Sequence, residues 1–329
     1  MTALPAPTSP PIASLSLDLD NLWSYLKVHG DPSWAERPSY LDVFLPRVLD
    51  VLDTLSLRIT FFIVGADAAA PAHRDVLREI VHRGHEVGNH SFEHDPWLHR
   101  YDASALERDI IGAEEAIAAA TGERPIGFRG PGYSWTPALL RLLASRGYLY
   151  DASSLPTFIG PAARWYYFRT ARLSAEERRT RQMLFGQFRD GFNPLDPRRI
   201  QLGDGVSLLQ IPVTTMPITR LPFHFSYLLY LARVSPALMR AYLATALRLC
   251  TLTGTAPSYL LHPLDLLGKD DVARLAFFPG MDLAGEAKRN LFMETMRRFA
   301  EAFTPVPMSV HARALLAAGV PDRALPAGR

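Results

Sequence analysis

Gly84-His85-Glu86-Val87-Gly88-Asn89-His90-Ser91-Phe92-Glu93-His94 decides how the chain is read. It places two imidazoles, His90 and His94, four residues apart. On a helical turn residues i and i+4 share a face, and two neutral imidazoles there can bind one divalent metal. A bound metal needs at least one more ligand, usually a carboxylate, and an open position for water. The rest of the chain must therefore supply that ligand, an acid, a base and something to hold an oxyanion. His85 and His99 lie nearby, but His85 stands at the start of a predicted strand and is the poorer ligand.

The chain has 329 residues, which a single α/β barrel can absorb. Apolar residues make up 48%, enough for a full core, and 21% are charged. Lys+Arg 35 against Asp+Glu 33 gives a net charge of +2, no signature of a nucleic-acid partner. Cys250 is the one cysteine, which excludes an internal disulfide framework and a cysteine-based zinc site. Residues 1–11 read as a flexible Pro-rich arm without the basic and apolar regions of a secretory signal. No apolar run reaches the roughly 18 residues of a spanning helix. The expected location is cytoplasmic.

Strands and helices alternate outward from the histidine stretch. Ile12 to Asp18 alternates and reads as a first strand ending in acids. Asn21 to Pro38 reads as a loop, and Ser39 to Leu57 as a helix with Asp42 as its capping-box carboxylate. Ile59 to Val64 is a buried strand, Pro71 to Arg83 a helix capped by Gly84, and His85 to Asn89 a strand. Helix Asp102 to Thr121, strand Pro125 to Phe128, helix Thr136 to Arg146 and strand Tyr148 to Asp151 follow. Residues 152–205 break the pattern as an insertion. Val206 to Pro212 restores a strand, 223–252 is an amphipathic helical segment interrupted at Pro236, and Pro257 to His262 is a strand. Phe292 to Phe303 marks the last main helix, Val306 to Val310 a closing strand, and 311–329 a tail. This is a run of parallel βα units, one barrel over 12–310, with its polar residues just after strands, where such barrels keep their sites.

Asp18-Leu19-Asp20 ends the first strand. Where a strand ends, two carboxylates two apart can both turn into a site, one to ligate a metal and the other to take a proton from the attacking water. Phe128-Arg129-Gly130-Pro131-Gly132-Tyr133 follows another strand. Its glycines allow close backbone approach, amides at Gly132 or Tyr133 can face an oxyanion, and the Arg129 fork can orient a carboxylate. Asp151 and His262 end two more strands, and a carboxylate beside an imidazole favours its protonated form. Each motif alone is also what an ordinary strand-end turn gives. Five of them at five strand ends form a pattern.

That pattern resembles the polysaccharide deacetylase superfamily, also called the NodB-homology or carbohydrate esterase 4 superfamily. The resemblance rests on His90-Ser91-Phe92-Glu93-His94, Thr60-Phe61-Phe62-Ile63-Val64-Gly65, Phe128-Arg129-Gly130-Pro131 and Tyr259-Leu260-Leu261-His262-Pro263. It implies a distorted (β/α)7 barrel with an insertion after the fifth strand, and metal-dependent hydrolysis of an N-acyl or O-acyl group. It implies Asp20, His90 and His94 as ligands of Zn²⁺ or another divalent transition metal. It further implies Asp18 as base, oriented by Arg129, and His262 as acid, supported by Asp151. The family's usual Thr-Phe-Asp-Asp-Gly is absent, and Asp-Leu-Asp resembles an atypical branch with peptidoglycan deacetylase-like, allantoinase-like and aminoarabinose-lipid deformylase-like members. Asp151 is followed by Ala152 where the family has Trp.

Other features are read from the residues alone. Arg233, Arg240 and Arg248 stripe the 223–252 segment, a candidate peripheral membrane contact at the inner face of the membrane. Arg164 to Arg181 reads as a solvated helix face or a phosphate site. Trp23, Tyr25 and Trp34 can stack on a sugar or staple the first loop. The expected function is a cytoplasmic Zn²⁺-dependent hydrolase of carbon–nitrogen bonds that removes acetyl or formyl from an N-acylated carbohydrate, including a lipid- or nucleotide-linked one. The alternatives are an allantoinase-like amidase on a small non-sugar amide, and a non-catalytic barrel binding glycan or lipid.

Overall fold

The computed structural model describes residues 10–171, 173–181, 184, 186–203 and 205–325. Its sheet contains β1 (Ile12–Leu19), β2 (Thr60–Ile63), β3 (Glu86–Asn89), β4 (Gly127–Phe128), β5 (Tyr150–Asp151), β6 (Arg198–Gly203), β7 (Val206–Gln210), β8 (Ser258–Leu261), β9 (Thr304–Val306) and β10 (Asp322–Ala324). The hydrogen-bonded order is β10-β6-β7-β5-β4-β3-β2-β1-β8, with β9 also on β1. All pairings are parallel except β6 with β7. The sheet curls into a barrel closed by irregular bonds, since Thr214 N–H donates to Ser258 O (3.0 Å) and Val213 N–H to Ser154 O (2.8 Å). This is the distorted (β/α)7 barrel.

The β1 sequence explains its place at the centre. Leu15, Leu17 and Leu19 face outward into the main apolar cluster with Phe44, Leu45, Leu243 and Phe292. Ser14, Ser16 and Asp18 alternate with them, and each is buried and bonded to a polar partner. The bottom of the barrel is plugged by the helix Met308–Ala318. Met308 N–H donates to Thr60 Oγ1 (2.8 Å) and Ser309 N–H to Glu86 Oε2 (2.8 Å). The strand expected over Val306 to Val310 is therefore only β9; Pro307 ends it and the helix begins. The segment set apart as a tail includes most of that helix, and β10 pairs with β6.

Several local expectations are corrected. Asn21 to Pro38 is not a loop but the helix Leu22–His29 and a 3₁₀ turn, Pro32–Glu36. Asn21 caps the helix through its side chain, and Gly30 (φ 87°) ends it in the left-handed region. The next helix, Leu41–Thr54, has no capping box; Tyr40 holds its N-cap position and makes no side-chain cap bond. The insertion contains β6, which returns antiparallel beside β7. The 223–252 segment is two helices, Phe225–Val234 and Pro236–Thr253, broken as expected where Ser235 caps and Pro236 takes the first helical position. Of the Pro-rich arm, residues 1–9 lie outside the described residues; Pro10 O and Pro11 O accept bonds from Thr304 (3.0 and 2.8 Å). No helix of the described residues is long and apolar enough to cross a membrane.

Candidate active site

Strand register lines up the site. Leu19, Ile63, Asn89, Phe128, Asp151 and Gln210 pair in sequence across β1, β2, β3, β4, β5 and β7. The residues beside or after them therefore share one rim. Leu17 pairs with Leu261, which sets Asp18 and His262 side by side at the ends of β1 and β8.

Asp20, His90 and His94 meet with their ligand atoms within 4.8 Å of one another. Asp20 Oδ1 lies 3.3 Å from His90 Nε2 and 2.8 Å from His94 Nε2. The two histidines are not on a helical turn. They converge because Ser91 (φ 62°) and His94 (φ 50°) adopt left-handed backbone. Side chains hold that turn: Asn89 Oδ1 accepts Ser91 N–H (2.9 Å) and Ser91 Oγ accepts His94 N–H (3.1 Å). Both Asp109 oxygens, from helix Ala103–Thr121, accept the N–H groups of Phe92 and Glu93 (3.0 and 3.1 Å). Burial pushes the Asp109 carboxyl up to about 6, against those two bonds. Asn89 and Asp109 were not singled out in the sequence, because one sits in a strand and the other on a helix face.

The donor set fits a cation. His90 Nδ1 lies 2.6 Å from the Arg129 carbonyl, an acceptor, so it carries the proton and Nε2 presents a lone pair to Asp20. Acceptors thus face one another in a nearly closed site. Burial would raise the Asp20 carboxyl, but His94 and His90 overcome it and hold it well below the usual range. Burial would lower His90, yet Asp18 and Asp20 raise it on balance.

Arg129 is fully buried and reaches across the barrel interior. Its Nη1 donates to Asp18 Oδ1 (2.7 Å) and Ser16 Oγ (2.9 Å), and its guanidinium lies 4.4 Å over the Phe62 ring. This orients Asp18 Oδ2, which stands 4.0 Å from His90 Nε2. His262 faces the site from β8 with Nδ1 3.2 Å from Ser226 Oγ and 4.0 Å from Asp265 Oδ2. Asp265 also accepts His262 N–H (2.8 Å). The carboxylate beside His262 is therefore Asp265, and Asp151 is not. Asp151 instead accepts from Ser153 N–H (3.1 Å) and Gln210 Nε2 (2.9 Å), and Gln210 Oε1 accepts from the buried Arg198 (2.6 Å). The sequence signal for Asp265 was present: in His262-Pro263-Leu264-Asp265 the Pro opens a 3₁₀ turn that returns the acid to its own cap.

Other candidates move. Gly132 (φ 58°) lies at the exposed rim, in a turn that needs glycine-like backbone. Tyr133 N–H is consumed by Gly130 O (2.9 Å), so it does not face an oxyanion. Its hydroxyl stays neutral, since burial and the Asp18 charge push it well above the ordinary tyrosine value. Trp23 is fully buried and presents no sugar platform. Its indole N–H donates to Asp67 Oδ1 (2.9 Å) and its edge backs His94 (6.5 Å, 81°). Tyr25 packs against Phe278, and Trp34 and Trp23 flank the Lys27 ammonium at 5.0 and 5.6 Å. Lys27 ties down the histidine loop through Glu93 O (2.9 Å) and Asp95 (2.7 Å). His85 lies apart from the triad and accepts Ile59 N–H (3.2 Å). Arg181 is no part of a solvated face: it is buried and donates to Val28 O (2.7 Å). Arg233 and Arg240 pair with Asp282 (2.8 Å) and Glu294 (2.6 Å), which neutralises two of the three arginines of the stripe.

Residues 37–150 match the family model for polysaccharide deacetylase. A chitooligosaccharide deacetylase of Sinorhizobium fredii is 36% identical over 106 residues, covering 32% of this chain and 48% of the relative. A peptidoglycan deacetylase of Helicobacter pylori is 26% identical over 162 residues, 48% of this chain and 53% of the relative. The chain thus spans about half the length of the curated relatives it matches. A crystal structure from Mycobacterium smegmatis, provisionally assigned as a polysaccharide deacetylase, covers 98% of this chain and 99% of its own at a TM-score of 0.57 and 19% identity, a likeness of fold. With the histidine motif inside the matched segment, residues 37–150 are similar to the polysaccharide deacetylase, or NodB-homology, family.

Proposed function

We propose that the protein is a metal-dependent N-deacylase that hydrolyses the acetyl or formyl amide of an N-acylated sugar. The observation that carries this is the pairing of an unligated Asp18, locked by Arg129, with His262 on the neighbouring strand. A barrel that only bound glycan would need neither. The names of the chitooligosaccharide and peptidoglycan relatives support the sugar class over a small ureide.

A divalent ion on Asp20, His90 and His94, Zn²⁺ in this reading, supplies Lewis acidity for the acyl carbonyl. Asp18 Oδ2 takes the proton of the attacking water, and Arg129 keeps that oxygen in place. His262 engages Ser226 and Asp265 through Nδ1, which leaves Nε2 to donate to the departing amine. The Gly132 amide at the rim is the backbone donor for the oxyanion. The test is release of acetate or formate from N-acyl sugars, polyprenyl-phosphate sugars and ureides by zinc-loaded protein. Release from sugars supports the proposal, and release from ureides alone refutes it.

A lipid-linked sugar at the inner face of the membrane, in the cytoplasm, is the finer form of the same reading. Exposed Trp165 (63%), Phe188 (59%), Phe192 (72%) and Ile218 (78%) lie in segments that leave the β5 and β7 ends at the site face. They suit an interfacial contact better than the ion-paired 223–252 stripe does. Co-sedimentation with anionic vesicles should fall on joint replacement of Phe188 and Phe192 by Ser, and an unchanged bound fraction would refute the contact.

A further inference from the structure

Asp151 stands apart from His262, yet its carboxylate is fully buried and bonded at both oxygens. Donor and acceptor types fix the direction of the bonds around it. Arg198 can only donate, so the Gln210 amide oxygen faces it and the Gln210 NH₂ turns to Asp151. On the other side Ser153 Oγ accepts Gly130 N–H (2.7 Å), which leaves the Ser153 hydroxyl hydrogen for Asp151. The line does not stop at Gly130. The same peptide unit presents the Arg129 carbonyl, and that oxygen lies 2.6 Å from His90 Nδ1. His90 Nδ1–H, the 129–130 peptide, the Ser153 hydroxyl and Asp151 thus form one hydrogen-bonded line in which every donor points towards the carboxylate. With Gln210 and Arg198 it runs from the end of β3 through β4, β5 and β7 to β6, which are neighbours in the sheet. Arg129 Nε donates to Ala152 O (3.3 Å) and fixes the same two segments side by side. His94 has no such line: its Nδ1 is buried without a hydrogen-bond partner among the described residues.

We propose that Asp151 is a positioning residue for the metal ligand His90, acting through Ser153 and the 129–130 peptide. This rests on the metal reading of Asp20, His90 and His94. Bonds in series with one polarity strengthen one another in a dry interior. Ser153, held by the Asp151 charge, polarises Gly130 N–H, and the Arg129 carbonyl of that peptide becomes a stronger acceptor. An imidazole that donates its far N–H to a stronger acceptor is a more basic and better oriented ligand. Asp151 therefore serves the metal half of the site rather than the acid half. Arg198, on the insertion strand β6, holds the second carboxylate oxygen in place through Gln210.

The test compares zinc-loaded wild-type protein with two variants. Ser153→Ala cuts the line and leaves the Asp151 charge, whereas Asp151→Asn keeps the shape and removes the charge. Zinc affinity is read by chelator competition, and the His90 and His94 rings by ¹H–¹⁵N NMR. In the wild-type protein the His90 Nδ1 proton should resonate downfield, as a strong hydrogen bond requires. Each variant should lose about tenfold in zinc affinity and move that proton upfield, with the His94 ring signals unchanged. A folded variant that stays within about twofold of wild-type affinity overturns the proposal. So does a common shift of both imidazoles, the mark of a general loosening. A wild-type His90 proton at the ordinary imidazole position overturns it without any variant. Wild-type protein that binds no zinc refutes the metal reading and this inference with it, whereas tight binding with unaltered variants refutes the inference alone. Acetate release is scored separately: zinc bound and the line intact without release refute the deacylase reading alone.

Discussion

The two halves of the site are built differently. The metal half hangs on strand ends: Asp18 on β1 and Asp20 just after it, His90 and His94 after β3, Arg129 after β4. Its side chains are largely buried, and Asp109, Asn89 and Lys27 lock the backbone of the histidine loop. The acid half hangs on a 3₁₀ turn after β8 and on the first turn of one helix. There His262 keeps 22% of its side chain exposed. The difference matches the tasks. In the proposed reaction, ligands must be in place before the ion arrives, whereas the acid must admit and release a substrate.

If the halves are separable, mutations should split along that line. The largest effect falls on Asp18→Asn, which should keep the metal and lose about a thousandfold in acetate release. Loss of metal as well would join base and ligand set into one unit. Next, His262→Asn should lose about a hundredfold in turnover without touching metal content. Asp265→Asn should lose less, and a change in metal affinity there would break the separation. Third, Asp109→Asn removes an anchor of the ligand loop and should weaken metal binding about tenfold or more, measured by chelator competition. pH sharpens the same point. Carboxylates raise His90 above the ordinary histidine value, so protons compete with the metal there. Affinity should rise with pH through that range and fall as His90 protonates. The smallest effect belongs to Lys288→Met. Lys288 is buried, donates to Leu264 O (2.7 Å) and Leu267 O (2.8 Å), and thereby holds the turn that carries Asp265. Its loss should cost about 1–3 kcal/mol of unfolding free energy, read by denaturant titration, with metal affinity unchanged.

The metal half was the more legible in the sequence. Asp20, His90, His94, Asp18 and Arg129 stand in short motifs at strand ends, and alternation along β1 shows which of its residues face inward. The acid half depends on residues far apart in the chain. Ser226 and His224 reach His262 only because the helix after β7 lies across the rim, and no local period reports that. Asp151 was paired with His262 through the family resemblance, but here Gln210 and Arg198 form a buried relay that occupies it. Trp23 illustrates a further limit. An aromatic beside a metal ligand suits a substrate platform or a support equally well, and Asp67, 44 residues on, decides for support.

The central claim is that Asp20, His90 and His94 hold one divalent ion while Asp18 and His262 stay free of it. Metal analysis by mass spectrometry of purified wild-type, Asp18→Asn and Asp20→Ala protein tests it most directly. Near-stoichiometric metal in the first two and none in the third is the predicted result. Wild-type protein without a divalent ion after zinc loading, or Asp20→Ala protein that keeps it, would contradict the account.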